Sequence, residues 1–261
     1  MTRHDEHPVV LLCGDGFSSR AIYHALSEKF GNVPTIQESV PPKTRILYRR
    51  IQKLGYSTVL GQVLFIGLVT PLLKHLSKRR IAELKQQYHL AEHRIIGPNI
   101  HRVLSINSDG ARELLRGMSP RVVVVNGTRI LEKKTLSCIQ TNIINTHNGI
   151  TPLYRGVHGG YWALAEKKPE LVGTTIHYVD HGIDTGGVIR HVPFDVTPKD
   201  NFATYPYHHI GVAIPELLSV VDSIVGNMEP PKPQSVNLPS KLRSHPTIFQ
   251  YVRNRVLHGV K

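Results

Sequence analysis

Residues 121–126 read RVVVVN, four consecutive valines closed by an asparagine. A short β-branched run without polar alternation predicts a strand buried on both faces, as in the middle of a parallel sheet. Outward from it the theme repeats. Residues 9–13 (VVLLC) predict a second buried strand, then the turn Gly14-Asp15-Gly16 and a helix over 17–30, with Ser18 or Ser19 placed to cap it. Residues 103–106 predict a short strand, and Ser108-Asp109 opens a helix that closes near Gly117. Beyond a short connection at 131–139, a strand ends at Asn145 in a loop rich in Gly and Pro. Residues 158–167 then predict a helix, 173–179 and 188–194 partly alternating strands, and 202–225 a helix that bends or restarts at Pro215.

Strands alternating with helices predict an α/β fold, here a Rossmann-like, mostly parallel sheet flanked by helices. Residues 40–90 interrupt it as a helical insertion. Within it, 43–54 places Leu47, Ile51 and Leu54 between basic residues and ends at Gly55, a C-cap glycine. Residues 72–88 repeat the pattern with Leu73, Leu76, Ile81, Leu84 and Tyr88. Between them lies 58–73 (TVLGQVLFIGLVTPLL), which falls short of the ~20 residues that span a bilayer and is broken by Gln62 and Pro71. It is read as buried core plus a helix start, with membrane-surface contact the less favoured reading. Four prolines within 229–239 mark a linker, and 240–261 reads as a basic tail too poor in apolar residues for its own core. The expected organisation is one domain over 1–228, carrying the insertion at about 40–90, and a short C-terminal extension at 229–261.

Two cysteines, Cys13 and Cys138, lie too far apart in sequence for a CxxC pair or a disulfide framework, which suits reduced thiols in a cytoplasmic protein. The start of the chain is polar, with Asp5 and Glu6, and the apolar run 9–13 is too short for a signal-peptide core. The net charge of +13 favours anionic partners, concentrated at Arg45, Arg49, Arg50 and Lys53 and at Lys74, Lys78, Arg79 and Arg80. Sixteen histidines invite a metal reading. The spacing resists it: His177 and His181 span a strand and a turn, and His208 and His209 are adjacent. No metal is expected. Gly14-Asp15-Gly16 lacks the remainder of a G-x-G-x-x-G, so a dinucleotide is disfavoured.

The chemistry concentrates in 143–160 and 180–187. A strand delivers Asn145 and His147 to its carboxyl end, and their i, i+2 spacing puts both side chains on one face. That end is where open α/β sheets bind ligands. The second segment, Asp180-His181-Gly182-Ile183-Asp184-Thr185-Gly186-Gly187, has glycines for sharp turns that bring a carboxylate toward the same pocket. Taken singly, each of these residues reads as a turn former or a core residue; their joint order makes the case.

Together the segments resemble the folate-dependent formyltransferase family. The resemblance rests on Asn145-Thr146-His147, Pro152-Leu153-Tyr154-Arg155-Gly156, Trp162-Ala163 and Asp184-Thr185-Gly186, in order, and covers about residues 100–195. It implies a neutral amine attacking the formyl carbon of 10-formyltetrahydrofolate, a co-substrate. Asn145 would offer an amide N–H to the oxyanion, and His147 would stabilise it or take the amine's proton. Asp184 would orient a proton-carrying water. It also implies a donor site built on the loop after the valine strand, Asn126, Gly127, Thr128 and Ile130, with Asp180. Tyr154, Arg155, His158 and Tyr161 are candidates for the acceptor pocket.

Among family acceptors, initiator tRNA goes with a C-terminal barrel, for which 229–261 is too short and too polar, so no nucleic acid partner is expected. Purine-pathway members are shorter and lack the insertion. The amino group of a nucleotide-linked sugar is favoured with another small amine left open, the acceptor being expected to be phosphorylated or nucleotide-linked, and a homodimer is allowed. Two other readings stay open: a formyltetrahydrofolate hydrolase, with water in place of the amine, and a basic binding protein that keeps the fold without turnover.

Overall fold

The structure, a computed structural model, describes residues 8–226 and 228–261. The polar start at 1–7 and the side chain of Arg45 lie outside the described residues. The chain opens with β1 (Val9–Cys13), α1 (Phe17–Phe30) and β2 (Thr35–Glu38). The insertion follows as α2 (Lys43–Leu54), α3 (Tyr56–Leu64), a π-helical turn (Phe65–Val69), α4 (Thr70–Leu76) and α5 (Lys78–Gln87). The framework resumes with β3 (Ile100–Val103), α6 (Asp109–Met118), β4 (Val122–Asn126), α7 (Lys133–Leu136) and β5 (Asn142–His147). Then come β6 (Arg155–Gly156), α8 (Gly159–Ala165), β7 (Gly173–Tyr178), β8 (Val188–Pro193), α9 (Tyr205–Val225), β9 (Leu242–Arg243) and α10 (Ile248–His258).

Seven strands form one sheet in the order β3-β2-β1-β4-β5-β7-β8. The first five pair in parallel and the last two antiparallel. This is the Rossmann-like, mostly parallel sheet that the valine run predicts. Alternate residues of the central strands serve two cores. Leu11, Val122, Val124 and Ile144 pack with Ile22 and Leu26 of α1 and Leu217, Val220 and Val221 of α9. Leu12, Val123, Val125 and Ile143 pack on the other face with Ala111 and Leu115 of α6. Each fully buried Val or Leu contributes roughly 1.5–3 kcal/mol. Burial, then Asp15 and Glu38, push the Cys13 thiol up to about 12, so it behaves as core.

Several expectations change. β2, with sequence TIQE, is wholly buried although three of its four side chains are polar. Ser18 and Ser19 do not cap α1; Gly16 occupies that position without a side-chain bond, and both hydroxyls reach Asn126 instead. α9 runs unbroken through Pro215, packed against α1, α5 and β7. The stretch 58–73 is helical throughout, and only one side of it is core. Val59, Gly61, Gln62 and Phe65 face inward, while Leu60, Leu68 and Leu72 stand in water. Residues 240–261 pack back on the body: β9 pairs with β6, and Tyr251 of α10 joins Phe65, Tyr161 and Phe202 in a shared cluster. Thr247 and Gln250 start α10 with a reciprocal capping box.

Candidate active site

β4 and β5 end side by side at the carboxyl edge of the sheet, with Val125 in register with Asn145. Asn145 and His147 alternate to one face of β5. Between them Thr146 turns to the other face, where its hydroxyl accepts from the Asn126 amide at 3.1 Å. Nε2 of His147 lies 2.7 Å from the carbonyl of Tyr154, which takes its proton, and Nδ1 lies 3.3 Å from Oδ2 of Asp184. Both ring nitrogens thus face oxygen acceptors, and the buried ring has a fixed orientation.

Asp184 reaches His147 from a tight turn. Its own backbone is left-handed, at φ 50°, and the Gly156 N–H donates to its Oδ2 at 2.9 Å. Asp180 shapes the turn by accepting from the Gly182 N–H at 2.9 Å and the Thr185 hydroxyl at 2.6 Å. Gly186 is required there, since a Cβ would fall 1.8 Å from the Tyr178 carbonyl. Glycine is equally required on the His147 side. A Cβ on Gly159 would sit 2.4 Å from the Cα of Gly149, so two loop backbones approach as only glycines allow.

His177 is the residue that sequence reasoning missed. β7 pairs antiparallel with β5 and sets His177 opposite Asn145. Its Nδ1 donates to the Tyr178 carbonyl at 2.7 Å, which leaves the Nε2 lone pair to accept from Asn145 Nδ2 at 3.1 Å. Burial pushes the His177 pKa down, against the opposing pull of the Tyr178 carbonyl and Asp184, so the ring is neutral. A neutral His177 fixes the orientation of the Asn145 amide. The second N–H of that amide remains for a ligand. Alternation along GTTIHYV puts His177 on one face of a strand, but the pairing partner that gives it meaning is not written in that run.

A cavity of about 450 Å³ joins these groups. Asn145, His147 and Asp184 line it together with Asn126, Gly127, Thr128, Ile130 and Asp180. Val125, Leu131, Val157 and Val179 give it apolar wall. The Asn126 side chain is held at both ends: it donates to Thr146 and accepts from Ser18 at 3.0 Å and Ser19 at 2.9 Å, tying β4, β5 and α1 together. His158 also lines the cavity, with Nε2 2.9 Å from Nδ1 of His245. Burial, then His245 and Arg50, lower its pKa to about 3, so it is neutral.

Three acceptor candidates lie elsewhere. Tyr154 is fully buried, its hydroxyl donating to Glu166 at 3.0 Å, and only its carbonyl serves the site. Arg155 spans the Ile183 carbonyl and the Ser240 hydroxyl, both at 2.7 Å, and so braces the turn that carries Asp184. Tyr161 is buried and accepts from the Asn254 amide at 3.0 Å. Among the described residues, no three His, Cys, Asp or Glu side chains cluster as a metal ligand set.

Residues 76–209, just over half of the chain, match the sequence model described as formyl transferase. The chain belongs to the formyl transferase family. A methionyl-tRNA formyltransferase of Syntrophus aciditrophicus is 30% identical over 129 residues, 49% of this chain and 41% of that protein. This chain spans less than half of the length of such curated relatives of the family. Two solved members share the fold. A 4-N formyltransferase from Francisella tularensis superposes with a TM-score of 0.56 at 16% identity, covering 95% of this chain and 79% of that one. An N-formyltransferase from Helicobacter canadensis, crystallised with folinic acid and dTDP-3-aminofucose, gives 0.52 at 14% identity, covering 90% and 70%.

Proposed function

We propose that this formyl transferase family member moves a formyl group from 10-formyltetrahydrofolate to the amino group of a small phosphorylated acceptor, a nucleotide-linked amino sugar being the favoured class. The observation that carries the reading is the meeting of Asn145, His147 and Asp184 around one cavity. At about 450 Å³ that cavity falls within the roughly 300–1,000 Å³ of small-molecule sites. Its apolar walls suit a flat heteroaromatic donor. The bound donor supplies an electrophilic formyl carbon. Toward the oxygen of that carbonyl the chain presents the free N–H of Asn145, held ready by His177. His147, ordered by Tyr154 and Asp184, is the group that handles the proton released by the amine.

The acceptor class draws support from a neighbouring cavity of about 710 Å³ that shares Arg129, Ile130 and Leu131 with the first. It adds Arg49, Lys133 and His181, a cationic lining suited to phosphate. The Helicobacter protein, whose structure holds a folate and a nucleotide-linked amino sugar, has the same fold.

The test offers the protein 10-formyltetrahydrofolate with a panel of nucleotide-linked amino sugars and with initiator methionyl-tRNA. Tetrahydrofolate release and the acceptor mass are both followed. Release that needs an amino sugar, with one formyl group gained by it, is the expected result. Release without any amine would make the protein a hydrolase. Formylation of the tRNA alone would overturn the acceptor class and leave the transfer chemistry standing.

A further inference from the structure

Leucine recurs at every fourth residue from Leu60 through Leu64, Leu68 and Leu72 to Leu76. The five lie on the near-continuous helical stretch of α3, the π turn and α4, and their exposures are 59%, 37%, 62%, 57% and 70%. Four residues advance an α-helix by about 400°, so such a row drifts slowly around the axis. The wider π turn slows the drift further at its middle. The result is one apolar band about 24 Å long between Leu60 and Leu76, at a rise of about 1.5 Å per residue. Val63 and Ile66 stand exposed beside it.

A second apolar row adjoins the first. α10 packs against α3 and the π turn, with Phe65 and Tyr251 ring centroids 5.0 Å apart. Tyr251 and Asn254 face inward, and Phe249, Val252, Val256 and Leu257 stand in water. Single exposed apolar residues are ordinary on a protein surface, but two adjoining rows of them mark a docking face.

The charge gathers on these helices and on α2 and α5, which flank them in the chain. Residues 40–90 hold ten Lys and Arg against Glu83 alone, and residues 240–261 hold five against no acid. These two segments account for the whole +13 of the chain; the rest is close to neutral. Lys53, Lys74, Lys78, Arg253 and Arg255 are exposed around the apolar rows.

We propose that the outer face of α3, the π turn, α4 and α10 docks in the plane of an anionic lipid bilayer. Leucines and Phe249 enter the boundary between headgroups and acyl chains, and the surrounding Lys and Arg meet lipid phosphates. The stretch Tyr56–Leu76 is long and apolar enough to cross a bilayer by length and composition. Its inner side holds it on the body instead: Gln62 donates to the His245 carbonyl at 2.7 Å, and Phe65 packs edge-on to Phe202 at 4.8 Å. A second copy of the chain would bring one strongly basic face against another. An RNA would satisfy the charge and leave the leucines in water. An anionic membrane answers both features. The docking stands apart from the identity of the amine acceptor.

The test is flotation of the full chain with vesicles of phosphatidylcholine alone and of phosphatidylcholine mixed with phosphatidylglycerol. The wild type floats with the anionic vesicles, at least tenfold less with neutral ones, and less as salt rises. The variant Leu60→Ser/Leu68→Ser/Leu72→Ser, altered only at exposed positions, melts like the wild type and loses flotation at least tenfold. The variant Lys74→Glu/Lys78→Glu loses it as well, which guards against a misfolded leucine variant. Wild-type protein left at the bottom of the gradient with anionic vesicles overturns the proposal. So does a leucine variant that floats undiminished. A wild-type dimer in sedimentation that the leucine variant dissolves assigns the face to a second copy and overturns it too.

Discussion

At the scale of single residues, His147 has no free orientation: one nitrogen is spent on the Tyr154 carbonyl and the other faces Asp184. Proton handling at this site therefore depends on the carboxylate as much as on the ring. His147→Ala and Asp184→Asn are each expected to lower kcat by roughly a hundredfold or more. Donor turnover at near-native rates in both variants would mean that the reaction happens elsewhere. His177 acts one step back. It touches Asn145 rather than the reacting atoms, so it is a positioning residue. His177→Phe leaves the Asn145 amide unanchored and is expected to lower kcat about tenfold to a hundredfold with little change in KM. His177→Gln, which can still accept from that amide, should recover much of the loss. Equal deficits in the two variants would point to packing alone. Asn145 and His147 were legible because alternation on a strand is a local property, and Asp184 because its turn glycines sit beside it. His177 and the serines that hold Asn126 were not, since their meaning comes from partners 32 and about 107 residues away.

At the scale of elements, β2 shows why part of the framework escaped sequence reading. Its sequence TIQE lacks the apolar signature of a buried strand, yet all four residues are buried. The polar side chains are satisfied by the loops around them. Glu38 accepts from the Ile106 N–H at 3.1 Å and from the Arg129 N–H, and it pairs with the Arg129 guanidinium at 3.2 Å. Arg129 lies in the 127–131 loop that lines the main cavity, so one carboxylate anchors the proposed donor wall to the sheet. The valine run of β4 announced itself, because burial there is apolar on both faces. The stretch 58–73 misled for the opposite reason: apolar content predicts burial, and only one side of that helix is covered. Glu38→Ala is expected to raise KM for the folate donor about tenfold while kcat changes little. It should also cost roughly 1.5–3 kcal/mol in urea unfolding, the range for hydrogen bonds to a charged group. An unchanged KM together with the lost stability would restrict Glu38 to a structural role.

At the scale of the whole molecule, acid is the condition that separates its parts. The insertion is latched to the body by Arg80 of α5, which pairs with buried Asp200 at 2.8 Å, while His208 of α9 lies 3.1 Å from the same oxygen. Burial pushes the Asp200 carboxyl up, but bonds from His208, Arg80 and Thr197 outweigh it and hold the group well below the usual range. A depressed carboxylate stabilises the fold in full above its unfolded pKa of about 3.9, and that stability is lost only as pH falls below this. His209 acts at higher pH. It is wholly buried beside Thr174, 3.0 Å from the hydroxyl, and burial, then His147, His208 and His158, lower its pKa to about 3. The ring is neutral when folded and takes a proton when unfolded below about pH 6.5. Its contribution is therefore complete above that pH and shrinks as pH falls toward about 3. Urea unfolding at pH 7.5, 6 and 5 should show stability declining below about pH 6.5, by up to about 1.4 kcal/mol per pH unit for His209 alone. His209→Gln removes the titrating group, keeps a polar partner for Thr174, and should flatten that slope by this amount even if the variant is weaker at pH 7.5. A variant whose slope between pH 6 and 5 equals that of the wild type would show that the buried ring is already protonated in the folded protein.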